Sequence, residues 1–267
     1  MAEFLRILDA RMERPGNYGW FHLMFVGIMA VLCIGLCLSG RKWSDKGVRR
    51  AALIMWIILL CTETYKMINF TFTPHEDGSI TARYQWYAFP FQMCSSPLYI
   101  LPFVAFLPEG RVRDGCISFL AFFSLFAGIS VYIYPNDVFV STIGINIQTM
   151  IHHGLQIVIG IFLCVHEAKK INFRFFLKGF VVFCIMVCVA TALNEFIPPL
   201  IPEGETFNMF FISRHYPCTL PVLSLAAEYI PNWSLPVLYA AGYFIAAWIV
   251  FTAARLLTNF TPARKNG

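Results

Sequence analysis

Two short stretches of this chain carry residue types that could do chemistry. Phe89-Pro90-Phe91-Gln92-Met93-Cys94-Ser95-Ser96-Pro97 offers a thiol and two hydroxyls, and the run from Gln148 to Gln156 contains Thr149, His153 and Gln156 at i, i+4 and i+7. On a helix that spacing makes one polar stripe, while His152 projects about 100° away, so His153 is the better functional candidate. A thiol or hydroxyl within reach of an imidazole suits nucleophilic acyl transfer, because the base can take the nucleophile's proton and later return it. Each residue also has a structural reading. A lone thiol in apolar surroundings is usually packing, a helical serine usually bonds back to its own carbonyls, and a buried histidine is usually a hydrogen-bonded core residue.

A second set is ionisable. Glu63 and Lys66, three apart, share a helical face that Asn69 extends by one turn. A charge at the centre of a membrane span costs about 2.5 kcal/mol or more, so the pair is either a structural ion pair or part of a site. Asn194 and Glu195 add polar groups near the end of a later apolar run. His152, His153 and His215-Tyr216-Pro217-Cys218 contain soft ligands, but adjacent histidines on a helix diverge and His-x-x-Cys lacks a second ligand pair, so no metal is expected. There is no Gly-rich phosphate loop, and no cofactor is expected.

These residues must be positioned by membrane helices. Of 267 residues, 58% are hydrophobic and 13% charged, against roughly 25% charged in soluble domains. Apolar stretches of span length lie near Trp20 to Leu38, Ala51 to Phe72, Tyr87 to Leu107, Cys116 to Tyr134, Ile145 to Val165, Phe175 to Ile197 and Leu235 to Leu257. The expected fold is all-α, a polytopic bundle of about seven transmembrane helices forming a single domain over residues 1–267. Acidic and basic residues mix through the first seventeen positions, so the first run reads as a retained helix rather than a cleaved signal.

Span three carries Pro90, Pro97 and Pro102. Each removes a backbone donor, and the freed carbonyls survive in a membrane only where protein or a polar cavity satisfies them, so this span is expected to line a site. Residues 198–236, rich in proline, read as a re-entrant or interfacial piece, with an eighth span as the alternative. Asn69-Phe70-Thr71, Asn232-Trp233-Ser234 and Asn259-Phe260-Thr261 match a glycosylation sequon and carry little weight.

The net charge of +5 does not point to nucleic acid, because the basic residues gather at span ends. Lys and Arg number 14 on one side of the spans and five on the other. The positive-inside rule then sets the N-terminus outside and the C-terminus in the cytoplasm. Counted down from the outer ends, Lys66 sits about 9 Å deep, Cys94 about 10 Å, His153 about 12 Å and Glu63 about 13 Å. Most of the nine cysteines lie in apolar runs and read as reduced core residues.

Over most of its length the chain resembles the YwaF family of bacterial integral membrane proteins and, more distantly, the eukaryotic transmembrane-protein-164 family. The resemblance rests on Glu63 with Lys66, Phe89 through Ser95, His153-Gly154-Leu155-Gln156-Ile157-Val158-Ile159, and Phe207-Asn208-Met209. The eukaryotic relatives are regarded as phospholipid acyltransferases that use a Cys on the third-span motif and a His on the fifth span. That His carries over to His153. Aligned on Pro90, Phe91 falls at the nucleophile position and Gln92 where the relatives have His, while Cys94 lies one turn deeper on the same face.

The resemblance therefore implies a lipid-modifying enzyme, an acyltransferase or acyl hydrolase acting on phospholipid. Its nucleophile would be Cys94 or Ser95, its base His153, and its oxyanion donor Gln92 or Asn208. Glu63, Lys66, Gln156 and Asn194 would line the substrate site. Membrane lipids are the expected partners, and a bacterial cytoplasmic membrane the expected location. Two other readings stand beside it: a binding or transport protein with a polar cavity in the outer half of the bilayer, and a structural subunit.

Overall fold

The computed structural model describes residues 1–40, 42–135 and 138–260. Arg41, Arg264 and Lys265 of the charge count, Asp137 of the loop after span four, and Thr261 of the third sequon lie outside them. Among the described residues six helices are long and apolar enough to cross a membrane: Trp20–Gly40, Asp45–Asn69, Arg111–Ile133, Ile143–His166, Phe173–Leu200 and Asn232–Thr258. They follow the apolar runs of the sequence, because a helix satisfies its own backbone where lipid offers no partner.

In chain order the helices are α1 (Ala2–Leu8), α2 (Trp20–Gly40), α3 (Asp45–Asn69), α4 (Ser96–Phe106), α5 (Arg111–Ser118), α6 (Leu125–Ile133), α7 (Ile143–His166), α8 (Phe173–Phe196), α9 (Pro221–Ala227) and α10 (Leu235–Phe260). A π-helical stretch, Phe119–Ser124, joins α5 to α6 in one rod. Cys164 Sγ donates to the Ala121 carbonyl at 3.4 Å and Tyr243 OH to the Phe123 carbonyl at 3.3 Å, so neighbouring helices satisfy its irregular backbone. α7 is the central helix, its apolar window 72% buried against 17% for α3. It packs against α2, α6 and α3. On its far side Phe122, Phe123, Phe176, Phe183 and Phe251 pack among α8 and α10.

The third expected span differs from the other six. Its helix covers only Met93–Phe106, and the chain ahead of it is largely extended. The 11 residues of α4 rise about 16 Å, half of a roughly 30 Å hydrocarbon core, and the chain ahead of it holds only the 3-10 turns Trp86–Ala88 and Met93–Ser95. The prolines explain the break. Pro97 has no N–H for the Met93 carbonyl, which accepts from Ser96 Oγ at 2.7 Å and Gln156 Nε2 at 3.2 Å instead. Pro102 likewise frees the Leu98 carbonyl, and Trp56 Nε1 donates to it at 2.9 Å. At the other end of α4, Arg113 Nε donates to the Val104 carbonyl and Arg49 Nη1 to the Ala105 and Leu107 carbonyls, while both guanidinium groups pair with Asp45.

Two further elements depart from a plain bundle. Phe72–Pro74 (β1) and Ile80–Ala82 (β2) form an antiparallel hairpin. Its turn is set by Gly78 at φ +85° and by Asp77, which accepts from Ser79 N at 2.9 Å. Residues 198–236 form no eighth span. They hold only the seven-residue α9 and three 3-10 turns, and one stretch, Phe207 through Ser213, is driven into the bundle with Phe207, Met209, Phe210, Ile212 and Ser213 buried.

Candidate functional site

The site is assembled where α3, α7 and the start of the third-span helix meet. On α3, Glu63 is 3% exposed and its Oε1 lies 2.5 Å from Lys66 Nζ, so the two neutralise each other. α7 presents two polar edges. Gln148 Nε2 lies 3.4 Å and His152 Nε2 3.6 Å from Glu63 Oε2. His152 Nε2 also lies 2.9 Å from Thr62 Oγ1. Thr62 Oγ1 is also within reach of the Ile58 and Leu59 carbonyls, and the buried Nδ1 of His152 has no partner.

The helix-stripe argument set His152 aside. It is in fact the histidine that meets the carboxylate, because α3 and the third span approach α7 from different sides. The signal was present in the sequence: Gln148 and His152 are themselves i and i+4.

The other edge of α7 carries His153 and Gln156. His153 Nδ1 lies 2.8 Å from the Thr149 carbonyl. A carbonyl only accepts, so Nδ1 is the protonated nitrogen and Nε2 keeps its lone pair. One turn along, the Gln156 amide fixes α7 against Met93, next to Cys94. Cys94 and Ser95 occupy the 3-10 turn that opens into α4, with Sγ and Oγ 3.9 Å apart. Cys94 lies within charge–charge range of both Glu63 and Lys66, and Lys66 also acts on His152 and His153. No hydrogen bond joins His153 to Cys94 or Ser95 among the described residues.

Tyr84, on the extended approach to the third span, was not singled out from sequence. Its buried hydroxyl has no partner, and burial, with Glu63 nearby, pushes the phenol up to about 12, so it remains a donor at neutral pH.

Gln92, Asn194 and Asn208 are engaged elsewhere. Gln92 Nε2 donates to the Asn208 carbonyl and its Oε1 accepts from Phe210 N, each at 2.8 Å. Asn194 clasps Met209 in the same two-point way, at 2.9 Å and 2.7 Å. Asn208 Oδ1 accepts from Ser213 N at 2.9 Å. These amides hold the buried turn, whose Phe210 and Phe211 sit at φ +57°, a backbone region unfavourable for bulky residues. Among the described residues no three His, Cys, Asp or Glu gather as metal ligands; His215 lies beside Glu195 at 3.5 Å. All nine cysteines are free.

Fold and centre together define a multi-pass helical membrane protein with buried polar groups at the meeting of three of its segments. The chain belongs to the TMEM164 family, whose family model matches residues 17–252. That match is to the family the sequence had suggested as the more distant of two. No curated protein and no solved structure matches the chain.

Proposed function

We propose that the protein is a phospholipid acyltransferase or acyl hydrolase, with Cys94 or Ser95 as nucleophile and His153 as base. The reading rests on one observation: the turn bearing both nucleophiles is fixed to α7 through the Gln156–Met93 bond, one helical turn from the basic Nε2 of His153. In the reaction His153 Nε2 takes the thiol or hydroxyl proton, and the sulfur or oxygen attacks an ester carbonyl of the phospholipid. The tetrahedral oxyanion collapses to an acyl-enzyme, and the departing lysophospholipid oxygen receives the proton from His153.

An acceptor hydroxyl, or water in the hydrolase, then reverses these steps and restores the nucleophile. Tyr84 is a candidate donor to the oxyanion, because its proton is unengaged while the amides of Gln92 and Asn208 hold backbone. Membrane lipids are the substrates. Kinship with the YwaF family and location in a bacterial cytoplasmic membrane belong to this same reading.

The test is to incubate purified protein with labelled phospholipid and follow acyl release or transfer. His153→Ala is expected to lower turnover about 10²-fold or more, the scale of a lost general base. Loss in Ser95→Ala with activity retained in Cys94→Ala assigns the serine, and the converse assigns the thiol. Absence of turnover over varied donors, together with a small solute that stabilises wild type but not Glu63→Gln, replaces this reading with binding or transport. The buried Glu63, Lys66 and His152 are the feature that favours that second reading.

A further inference from the structure

A cavity of about 220 Å³ opens on the N-terminal face, walled by chain segments far apart in sequence. Residues 9–11 form one wall, strapped to the segment before α7 by a backbone bridge between Arg11 and Thr142 and by bonds from Met12 N to the Ser141 carbonyl and Ile143 N to the Ala10 carbonyl. Asn69 and Phe70 at the end of α3, the strand β1, Gln85, and Ile145 on α7 complete it. Tyr65 OH holds the strap from below through the Leu8 carbonyl at 2.7 Å.

The cavity bears one charge of each sign. Arg11 Nη2 lies 2.7 Å from Asp9 Oδ2, and Arg11 Nη1 donates to Ser141 Oγ at 3.0 Å. The Arg11 side chain is 63% exposed, so this ion pair is weak and yields readily to a competing ligand. The floor lies over the buried centre: one turn below Asn69 is Lys66, one turn below Ile145 is Gln148, and both reach Glu63.

We infer that this cavity binds a small zwitterion carrying an ammonium and a phosphate, with Arg11 taking the phosphate and Asp9 the ammonium. Three observations select that chemistry. The two charges stand side by side, as they do in such a ligand. The remaining polar lining, Asn69, Thr73, Gln85, Ser141 and Thr142, is neutral and adds hydrogen bonds without net charge. The volume is below the roughly 300 Å³ at which drug-sized pockets begin, which admits a headgroup and excludes an acyl chain. The ligand comes either from a membrane lipid or from a free solute. The subsite supplies the polar end of a substrate if the acyl reading holds, and does not require it.

The test uses the full chain purified in a maltoside detergent, with titration calorimetry against phosphocholine, phosphoethanolamine, choline and glycerol phosphate. The two zwitterions are expected to bind more tightly than either probe that carries charge of only one sign. Arg11→Ala and Asp9→Ala should each weaken them about tenfold, the scale of one charge-assisted hydrogen bond. Arg214→Ala, another exposed cation of the same face, should leave binding unchanged. Equal binding of choline or glycerol phosphate, unchanged binding in both cavity variants, or no saturable binding overturns the proposal.

Dihexanoyl phosphatidylcholine binding more tightly than glycerophosphocholine names a lipid as the source, and equal binding names a soluble zwitterion. Retained headgroup binding in Cys94→Ala without acyl transfer supports the subsite and counts against the thiol chemistry alone.

Discussion

Lys66 reaches Glu63 across less than one turn of α3, and the carboxylate's second oxygen faces Gln148 and His152 on another helix. Each charge is therefore tolerated only because the other is present. Glu63→Gln or Lys66→Met alone leaves a buried charge without a counter-ion, and a loss of about 3–5 kcal/mol is expected, as for other broken buried pairs. The double substitution should cost less than the sum of the two. Thermal denaturation of the three variants in detergent measures this, and strictly additive losses would mean that the ion pair contributes nothing. The pair was legible in the sequence, since i and i+3 on an apolar helix leave few alternatives. The partnership of His152 was not, because it depends on which side of α7 each neighbour occupies, and that is a matter of packing rather than of spacing. Gln92, Asn194 and Asn208 show a related limit. Polar residues in apolar runs look like ligand contacts from sequence, and here they satisfy backbone that the chain itself had left exposed.

At the scale of elements, the third span depends on side chains from elsewhere to replace the donors its prolines lack. Trp56→Phe keeps an aromatic, though smaller, ring and removes the one hydrogen bond to the Leu98 carbonyl, so a loss of about 1–3 kcal/mol is expected. Trp56 is partly buried among apolar neighbours, and a denaturation midpoint unchanged in Trp56→Phe would show that the carbonyl has found another donor. The six long helices were legible because length and apolarity alone decide them, and the broken third span because its prolines announce missing bonds. The hairpin was not legible. Its strands are three residues each, too short for alternation to register, and its turn is a single Asp-Gly. The segment that holds Phe207 through Ser213 reads in the sequence as a re-entrant or interfacial piece, but nothing in its composition marks the two amides that receive it.

For the molecule as a whole, the helices alternate so that α1, the hairpin and residues 198–231 share one face, while the Asp45–Arg113 cluster and the 3-10 turn Ala168–Lys170, against which the end of α10 packs, share the other. The expected outcome is that the first face is external, given 14 basic residues against five. A cysteine introduced at Lys169 should be shielded from an impermeant thiol reagent added outside intact cells, and one at Glu203 should react; the reverse pattern inverts the molecule. The clasp on the inward turn also sets an order in time. Gln92 leaves the ribosome 116 residues before the carbonyl it holds, an interval of about 6 to 23 s at roughly 5–20 residues per second. Through that interval the Gln92 amide has no partner from the turn, and an unpaired polar group is costly in lipid. The Gln92 side chain therefore stays hydrated, at the interface or in the insertion machinery, until the residues beyond the sixth span have been made.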